Sequence, residues 1–391
     1  MAGIYIHIPF CKSRCIYCDF YSTTSLDLRG PYVDALLREL ETRKLSALNA
    51  SDSVLRTVYI GGGTPSVLNI CNLDSICGQI SELYGLENLQ EFTIEANPDS
   101  VTDSFVQGLA QLPVNRVSMG VQSFNDSILR FMKRRHDSAG ALRAYDRLRA
   151  AGFENLSLDL MFGIPGQTIG MLVGDLDRML ELEPEHISVY SLSYEPGTCL
   201  EKLISTGQAS ALSDELCQSM YRTICNRMAL AGYNHYEISN FARPGHESVH
   251  NSNYWNGTPY LGIGAGAHSY NGYDIRSFNN SNLKQYIAYY GTGLGCDKKD
   301  NVPESPCQYE ILDAVDRRNE YVMLALRTSA GIELVDFENR FGKESTAQLL
   351  DMAEPQIKDG NLVLADGKLS VPQEKFFISN SIIVELFLEK E

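Results

Sequence analysis

Basic side chains are scarce in this chain. Its 33 Lys and Arg face 49 Asp and Glu, a formal charge of −16 at pH 7. Nucleic-acid affinity rests mainly on clustered Lys and Arg, so this balance argues against such a partner. Long apolar runs are missing as well: none approaches the roughly 18 residues needed to cross a bilayer. The first residues show neither the basic, apolar and small-residue succession of a signal peptide nor an Arg-rich transit pattern. Strand-like sequence begins almost at Met1 instead, and a cytosolic protein is expected.

What is present is ordinary globular material, 44% hydrophobic and 21% charged. At 391 residues the chain exceeds one usual core, so a large domain with a smaller one is expected. Ten cysteines would not form a disulfide framework in a reducing compartment. Three crowd into Cys11–Cys18, whereas Cys71, Cys77, Cys199, Cys217, Cys225, Cys296 and Cys307 are scattered and read as small apolar residues.

Six short segments rich in Ile, Val, Leu or Tyr read as strands: GIYIHIPF, RTVYIGGG, EFTIEANP, RVSMGVQS, LSLDLMFG and HISVYSLSY. Helical patterns lie between them. Val33, Leu36, Leu37 and Leu40 share one face, as do Leu172, Leu176 and Met179, the latter behind Thr168 as N-cap. Six βα units joined by right-handed crossovers predict an α/β fold, a partial (β/α)6 TIM-like barrel over residues 1–236. A doubly wound sheet is the alternative. Residues 237–391 open with a Gly-, Asn- and Tyr-rich stretch, and beyond about residue 310 they read as a smaller α+β, winged-helix-like domain. No further repeat and no low-complexity segment is seen.

The cysteine triplet has the form C-x3-C-x2-C in IPFCKSRCIYCDFYS, directly after a strand. Three thiolates can ligate three irons of a [4Fe–4S] cubane and leave the fourth open to a chelating amino acid. A zinc site is the alternative, but structural zinc wants four ligands and no second CxxC pair exists. His7 is the conceivable fourth ligand, although on its strand it would point back along the barrel.

Other strand ends carry polar residues. Gly61, Gly62, Gly63 and Thr64 follow the second strand, Glu95 closes the third, Gln122 the fourth, and Asp159 lies in the fifth. Glycines let backbone approach a ligand, and carboxylates in apolar strands need partners. A buried ion pair or helix cap is the alternative for each carboxylate. Their convergence on the face that carries Cys11, Cys15 and Cys18 favours a ligand site.

These residues resemble the radical S-adenosylmethionine superfamily, and YIHIPFCKSRCIYCDF looks like its oxygen-independent coproporphyrinogen III oxidase branch. The likeness runs through most of the chain and is densest up to about residue 270. It implies a [4Fe–4S] cluster on Cys11, Cys15 and Cys18 with S-adenosylmethionine beside it. Tyr5 and Tyr17 would lie near cluster and adenine, and Gly62, Gly63 and Thr64 would meet the methionine moiety. Glu95 would meet the sugar or amino group. Gln122, Arg134, Asp159 and Ser193 occupy positions matching contacts in the oxidases, with Arg134 suited to a carboxylate. For Arg134, in the run KRRH, a solvated helix face is the alternative. In the enzymes the reduced cluster cleaves the sulfonium to a 5′-deoxyadenosyl radical, while the protein orients the ligand and excludes water and oxygen.

Two features part the chain from the oxidases. They extend the motif by one more cysteine two residues on, where Phe20 stands here, and they carry an N-terminal arm that is missing. The second feature is HNSNYW, His250 to Trp255, similar to the H-N-x-x-Y-W motif of the related haem chaperones of the HemW type. His250 offers an imidazole for iron, and Tyr254 and Trp255, the only tryptophan, offer flat faces for a macrocycle. The plainer reading has His250 hydrogen-bonded in a loop and both aromatics packed at a domain junction. His246 could share a helix face with His250, although metal binding by that pair is not expected.

Three functions are compatible: a haem chaperone on a radical S-adenosylmethionine scaffold, an anaerobic coproporphyrinogen oxidase, and a zinc- or cluster-stabilised binding module. The chaperone reading leads. It implies haem as cargo, haem-accepting proteins (a membrane-associated acceptor included) and an electron donor as partners, and is compatible with a cluster-dependent homodimer.

Overall fold

The computed structural model describes residues 2–43, 54–291 and 304–390. Six parallel strands, β1 (Ala2–Ile8), β2 (Leu55–Gly62), β3 (Glu91–Ala96), β4 (Arg116–Gln122), β5 (Asn155–Phe162) and β6 (His186–Ser191), lie side by side in sequence order. All six segments expected to be strands form, because their Ile, Val and Leu runs are buried on both faces as a parallel sheet requires. The linking helices are α1 (Arg29–Thr42), α2 (Ile70–Tyr84), α3 (Asp103–Leu109), α4 (Asp126–Phe131), α5 (Ser138–Ala150) and α6 (Ile169–Leu182). Helix α1 buries Val33, Leu36 and Leu40 as its pattern predicts, and Leu37 packs partly exposed at the margin. The Thr168 hydroxyl accepts from Met171 N at 3.2 Å and caps α6.

Strand order without reversal excludes the doubly wound alternative, which needs a switch point in mid-sheet. After β6 come α7 (Cys199–Ser205), α8 (Asp214–Leu230), β7 (Asn234–Glu237) and β8 (Asn240–Ala242), and β8 runs antiparallel to β6. A short helix, α9 (Val249–Trp255), leads to β9 (Tyr260–Ile263), which pairs in parallel with the outer side of β1. Strands β10 (His268–Tyr270), β11 (Ile275–Asn279) and β12 (Cys307–Ile311) continue antiparallel, with α10 (Leu283–Gly291) beside them. Among the described residues the sheet has twelve strands and ends on β7 and β12, so the barrel stays open.

The C-terminal part is winged-helix-like. Helix α11 (Ala314–Leu326) and β13 (Ile332–Glu333) are followed by α12 (Leu334–Lys358), broken at Gly342 with φ +86°. Then β14 (Val363–Ala365) and β15 (Lys368–Ser370) form the wing in a β13-β15-β14 sheet, before α13 (Ser379–Val384). Among the described residues no helix is long and apolar enough to cross a membrane. The scattered cysteines depart in part from expectation. Cys77 is buried, Cys217, Cys225 and Cys307 are partly so, and Cys71 and Cys199 stand exposed because they occupy outward positions of α2 and α7. Cys296 lies outside the described residues.

One buried carboxylate ties the sheet extension to the barrel. Glu39 of α1 accepts from Arg43 at 2.9 Å, Gly264 N and Asn279 Nδ2 at 2.8 Å, and Tyr286 OH at 2.5 Å. Arg43 also reaches Gly262 O, Ser269 and Ser277. Removing one partner of such a network leaves buried donors and a cation unpaired. Glu39→Ala should therefore cost about 3–5 kcal/mol of unfolding free energy, read from urea midpoints. A loss below about 1 kcal/mol would show that the clamp is dispensable.

Candidate active site

At the C-terminal end of β1 the chain turns through residues 11–23, held by Cys11 N donating to Thr23 O at 2.9 Å and Thr23 N to Pro9 O at 2.7 Å. Cys11, Cys15 and Cys18 stand on this loop, unoxidised and partly exposed. Cys11 Sγ is 3.5 Å from Thr64 Oγ1, and Arg134 Nη1 donates to Cys15 Sγ at 3.4 Å. Burial raises the pKa of Cys11 and Cys18, with the Cys15 thiol adding to both shifts and Cys11 to that of Cys18. Among the described residues, no three Cys, His, Asp or Glu side chains stand in ready-made metal geometry. The donor set nonetheless fits an iron–sulfur cluster: three thiols on one short loop, which a bound metal would deprotonate and draw together. Zinc would need a fourth ligand, and His7 is committed elsewhere. Its Nε2–H donates to Tyr21 O at 3.1 Å and its Nδ1 accepts from Tyr5 OH at 3.0 Å.

The three glycines that close β2 and lead out of it are crowded by the protein's own packing. A Cβ on Gly61 would lie 2.7 Å from Tyr59 and 2.9 Å from Glu95; on Gly62 (φ +111°), 2.7 Å from His7. On Gly63 it would lie 2.9 Å from Phe10 O, because the cysteine loop folds tightly over it. Thr64 is buried and accepts from Asn97 Nδ2 at 2.9 Å.

Arg134 turns inward, away from its neighbours Lys133 and Arg135, which are exposed. Its Nη2 donates to Asn97 Oδ1 at 2.7 Å and Gly120 O at 2.6 Å. Tyr17, whose phenol pKa is raised mainly by burial, lies in the field of Arg134 and Cys15. Gln122 has φ +70°, at a register slip between β4 and β5. Its Nε2 would sit 2.8 Å from a Cβ placed on Gly120, while its buried Oε1 has no hydrogen-bond partner among the described residues. An orphaned buried acceptor close to Arg134 and Asn97, with Cys15 on another edge of the same guanidinium, fits a polar ligand such as S-adenosylmethionine. Ser193 lies two residues past β6 and is exposed.

Deeper in, Glu95 accepts from Tyr59 OH at 2.8 Å and Gly62 N at 3.0 Å. Burial, with Asp159 nearby, raises its pKa from 4.5 to about 7. Ser118 Oγ donates to Asp159 at 3.3 Å, and burial lifts that carboxyl to about 6. Tyr5, Tyr59, Glu95, Gln122 and Asp159 all keep partial exposure inside the barrel, so they line an interior space. Arg116, 1% exposed, is the cation facing both carboxylates. Arg116 opens the apolar run RVSMGV with a charge, the same kind of signal that marks Asp159 in the sequence, whereas Asn97 carries no such signal.

HNSNYW lies at the other end of the barrel, on α9. His250 is 1% exposed. Its Nδ1 lies 2.9 Å from Thr57 Oγ1, its Nε2 2.9 Å from Tyr254 OH, and its ring stacks on Tyr59 at 5.2 Å. Burial lowers its pKa to about 3. Glu91 accepts from Ser248 Oγ, Val249 N and His250 N at the start of the helix. His246 lies before the N-cap Ser248, off this helix. Trp255, at the far end, borders a cavity of about 580 Å³.

A parallel partial barrel with a three-cysteine loop after β1 and polar residues at the following strand ends is the scaffold of a radical S-adenosylmethionine protein. The family model "Radical SAM superfamily" matches residues 5–179, and "HemN C-terminal domain" matches residues 312–377. The solved coproporphyrinogen III oxidase HemN of Escherichia coli superposes with a TM-score of 0.81 at 24% identity, covering 99% of this chain and 90% of that one. "Heme chaperone HemW" of Lactococcus lactis is 35% identical over 98% of this chain and 97% of its own length. The Bacillus subtilis protein of the same name is 37% identical over 88% of each. The chain belongs to the HemW family.

The carboxylate at Glu95 makes a pH test. Its raised pKa means that the folded state prefers the protonated form, so ionising it between pH 4.5 and about 7 costs stability, with no further loss above. Glu95→Gln should therefore gain stability relative to wild type between about pH 5 and about pH 8, in urea midpoints of the ligand-free protein. Parallel pH profiles would show that Glu95 ionises without penalty.

Proposed function

We propose that this protein is a haem chaperone, holding haem and handing it to acceptor proteins. The observation that carries the reading is HNSNYW on α9 in a chain whose relatives bear the name heme chaperone. Phe20, 67% exposed where the oxidases have a further cysteine, speaks against coproporphyrinogen decarboxylation. In this reading Cys11, Cys15 and Cys18 hold a [4Fe–4S] cluster, which supplies an open iron and one-electron chemistry to S-adenosylmethionine. Thr64, Gln122 and Arg134 surround that ligand near the thiols, with Tyr5, Glu95 and Asp159 lining the space below, Gly62 and Gly63 shaping its wall, and Tyr17 and Ser193 at the rim. Thiols that must stay reduced suit the cytoplasm, and the working partners are haem acceptors and an electron donor.

His250 has both ring nitrogens engaged, so ligating iron requires local opening of α9 and release from Tyr254 and Thr57. Haem loading is then coupled to a conformational step. Anaerobic haem titration should give a Soret shift in wild type that His250→Ala weakens about tenfold or more. Equal, tight binding by both would remove His250 as ligand. A parallel assay with reductant, S-adenosylmethionine and coproporphyrinogen should yield no protoporphyrinogen and no carbon dioxide; turnover would move the assignment to the oxidase branch.

A further inference from the structure

The cavity beside Trp255 has a composition that nothing in the barrel explains. It lies between α9, the β10–β11 hairpin and the winged-helix-like part, and its volume of about 580 Å³ is within the roughly 300–1,000 Å³ typical of cofactor pockets. Its wall joins flat aromatics to cations: Trp255, Tyr273 and Tyr321 with Arg317, Arg318 and Arg340. Three arginines meeting at one cavity are unexpected in a chain of net charge −16.

None of the three is neutralised by an ion pair among the described residues. Arg317 lies over the Tyr273 ring at 4.6 Å and Arg340 over the Tyr321 ring at 5.0 Å. Arg318 is 2% exposed, and its Nε and Nη2 have no hydrogen-bond partner among the described residues. Of the two carboxylates on the wall, Glu320 is tied to Arg276 at 2.7 Å, and Glu344 is exposed. The cavity therefore offers π faces for a planar apolar body and guanidinium groups without an ion-pair partner among the described residues for carboxylates at its edge.

We propose that this cavity seats the porphyrin, with the macrocycle against Trp255, Tyr273 and Tyr321 and its propionates on Arg317 and Arg340. The inference rests on the haem-chaperone reading and locates its cargo. Among the described residues no His, Cys or Met lines the cavity, so recognition there is by ring and carboxylates and does not need the iron. Iron ligation is a separate step, open to His250 five residues before Trp255 once α9 yields.

The test is a titration with metal-free protoporphyrin IX, its dimethyl ester and haem, followed by quenching of Trp255 and by porphyrin absorption. Wild type, the charge-reversed Arg317→Glu/Arg340→Glu double variant and His250→Ala are compared, with thermal melts to confirm folding. The double variant should lose affinity for the free acid about tenfold or more, and the dimethyl ester should bind wild type about as weakly. His250→Ala should bind the metal-free porphyrin like wild type. If haem binds wild type tightly while a folded double variant and the ester bind equally well, the cavity is not the seat and the chaperone reading stands. If wild type binds neither haem nor porphyrin, the chaperone reading falls and this proposal with it.

Discussion

Tyr59 holds the two ends of the barrel in one physical system. Its hydroxyl donates to Glu95, which in turn accepts the amide of Gly62 under the cysteine loop. The other side of its ring stacks on His250. Gly61 has to be glycine because a Cβ there would strike both Tyr59 and Glu95. A barrel normally fills its interior with branched apolar layers. Here Glu95, Asp159 and Arg116 occupy that space, and the charge of Arg116 is felt at both carboxylates and at His250. Buried polar groups of this kind persist only if partnered, so the column fixes what stands above and below it.

The two ends differ in how complete they are. Above, Gln122 Oε1 has no hydrogen-bond partner among the described residues, and the three thiols share one short loop. On the proposed reading, that end takes the cluster and its ligand. Below, His250 is fully engaged with Thr57 and Tyr254, and Glu91 pins the helix that carries it. That end is closed, and on the proposed haem-chaperone reading it opens when cargo is loaded. The winged-helix-like part adds a cationic, aromatic wall just outside α9, the seat proposed above for an anionic planar cargo.

Much of this was legible in the sequence. The parallel strands were readable because burial on both faces writes continuous apolar runs, and α6 because Thr168 and the Leu172–Met179 stripe mark its start and its inner face. Strand order was not, since alternating βα units serve a barrel and a doubly wound sheet alike. The antiparallel extension was hidden because β9 to β12 are only three to five residues long. The cysteine loop stood out by spacing alone. Asn97 and Tyr59 did not, because their roles come from neighbours on other strands and not from a local pattern, and Arg116 showed only as a charge opening an apolar run. The glycines after β2 were found for an incomplete reason: packing against His7, Glu95 and the loop backbone already demands them.

The proposed cluster at one end of the barrel and haem ligation at the other are chemically separate. The direct measurement is iron and acid-labile sulfide in anaerobically reconstituted protein. Wild type and His250→Ala should each hold about four of both per chain, and Cys11→Ala should lose them. Zinc in place of iron, or loss of the cluster on changing His250, would contradict it.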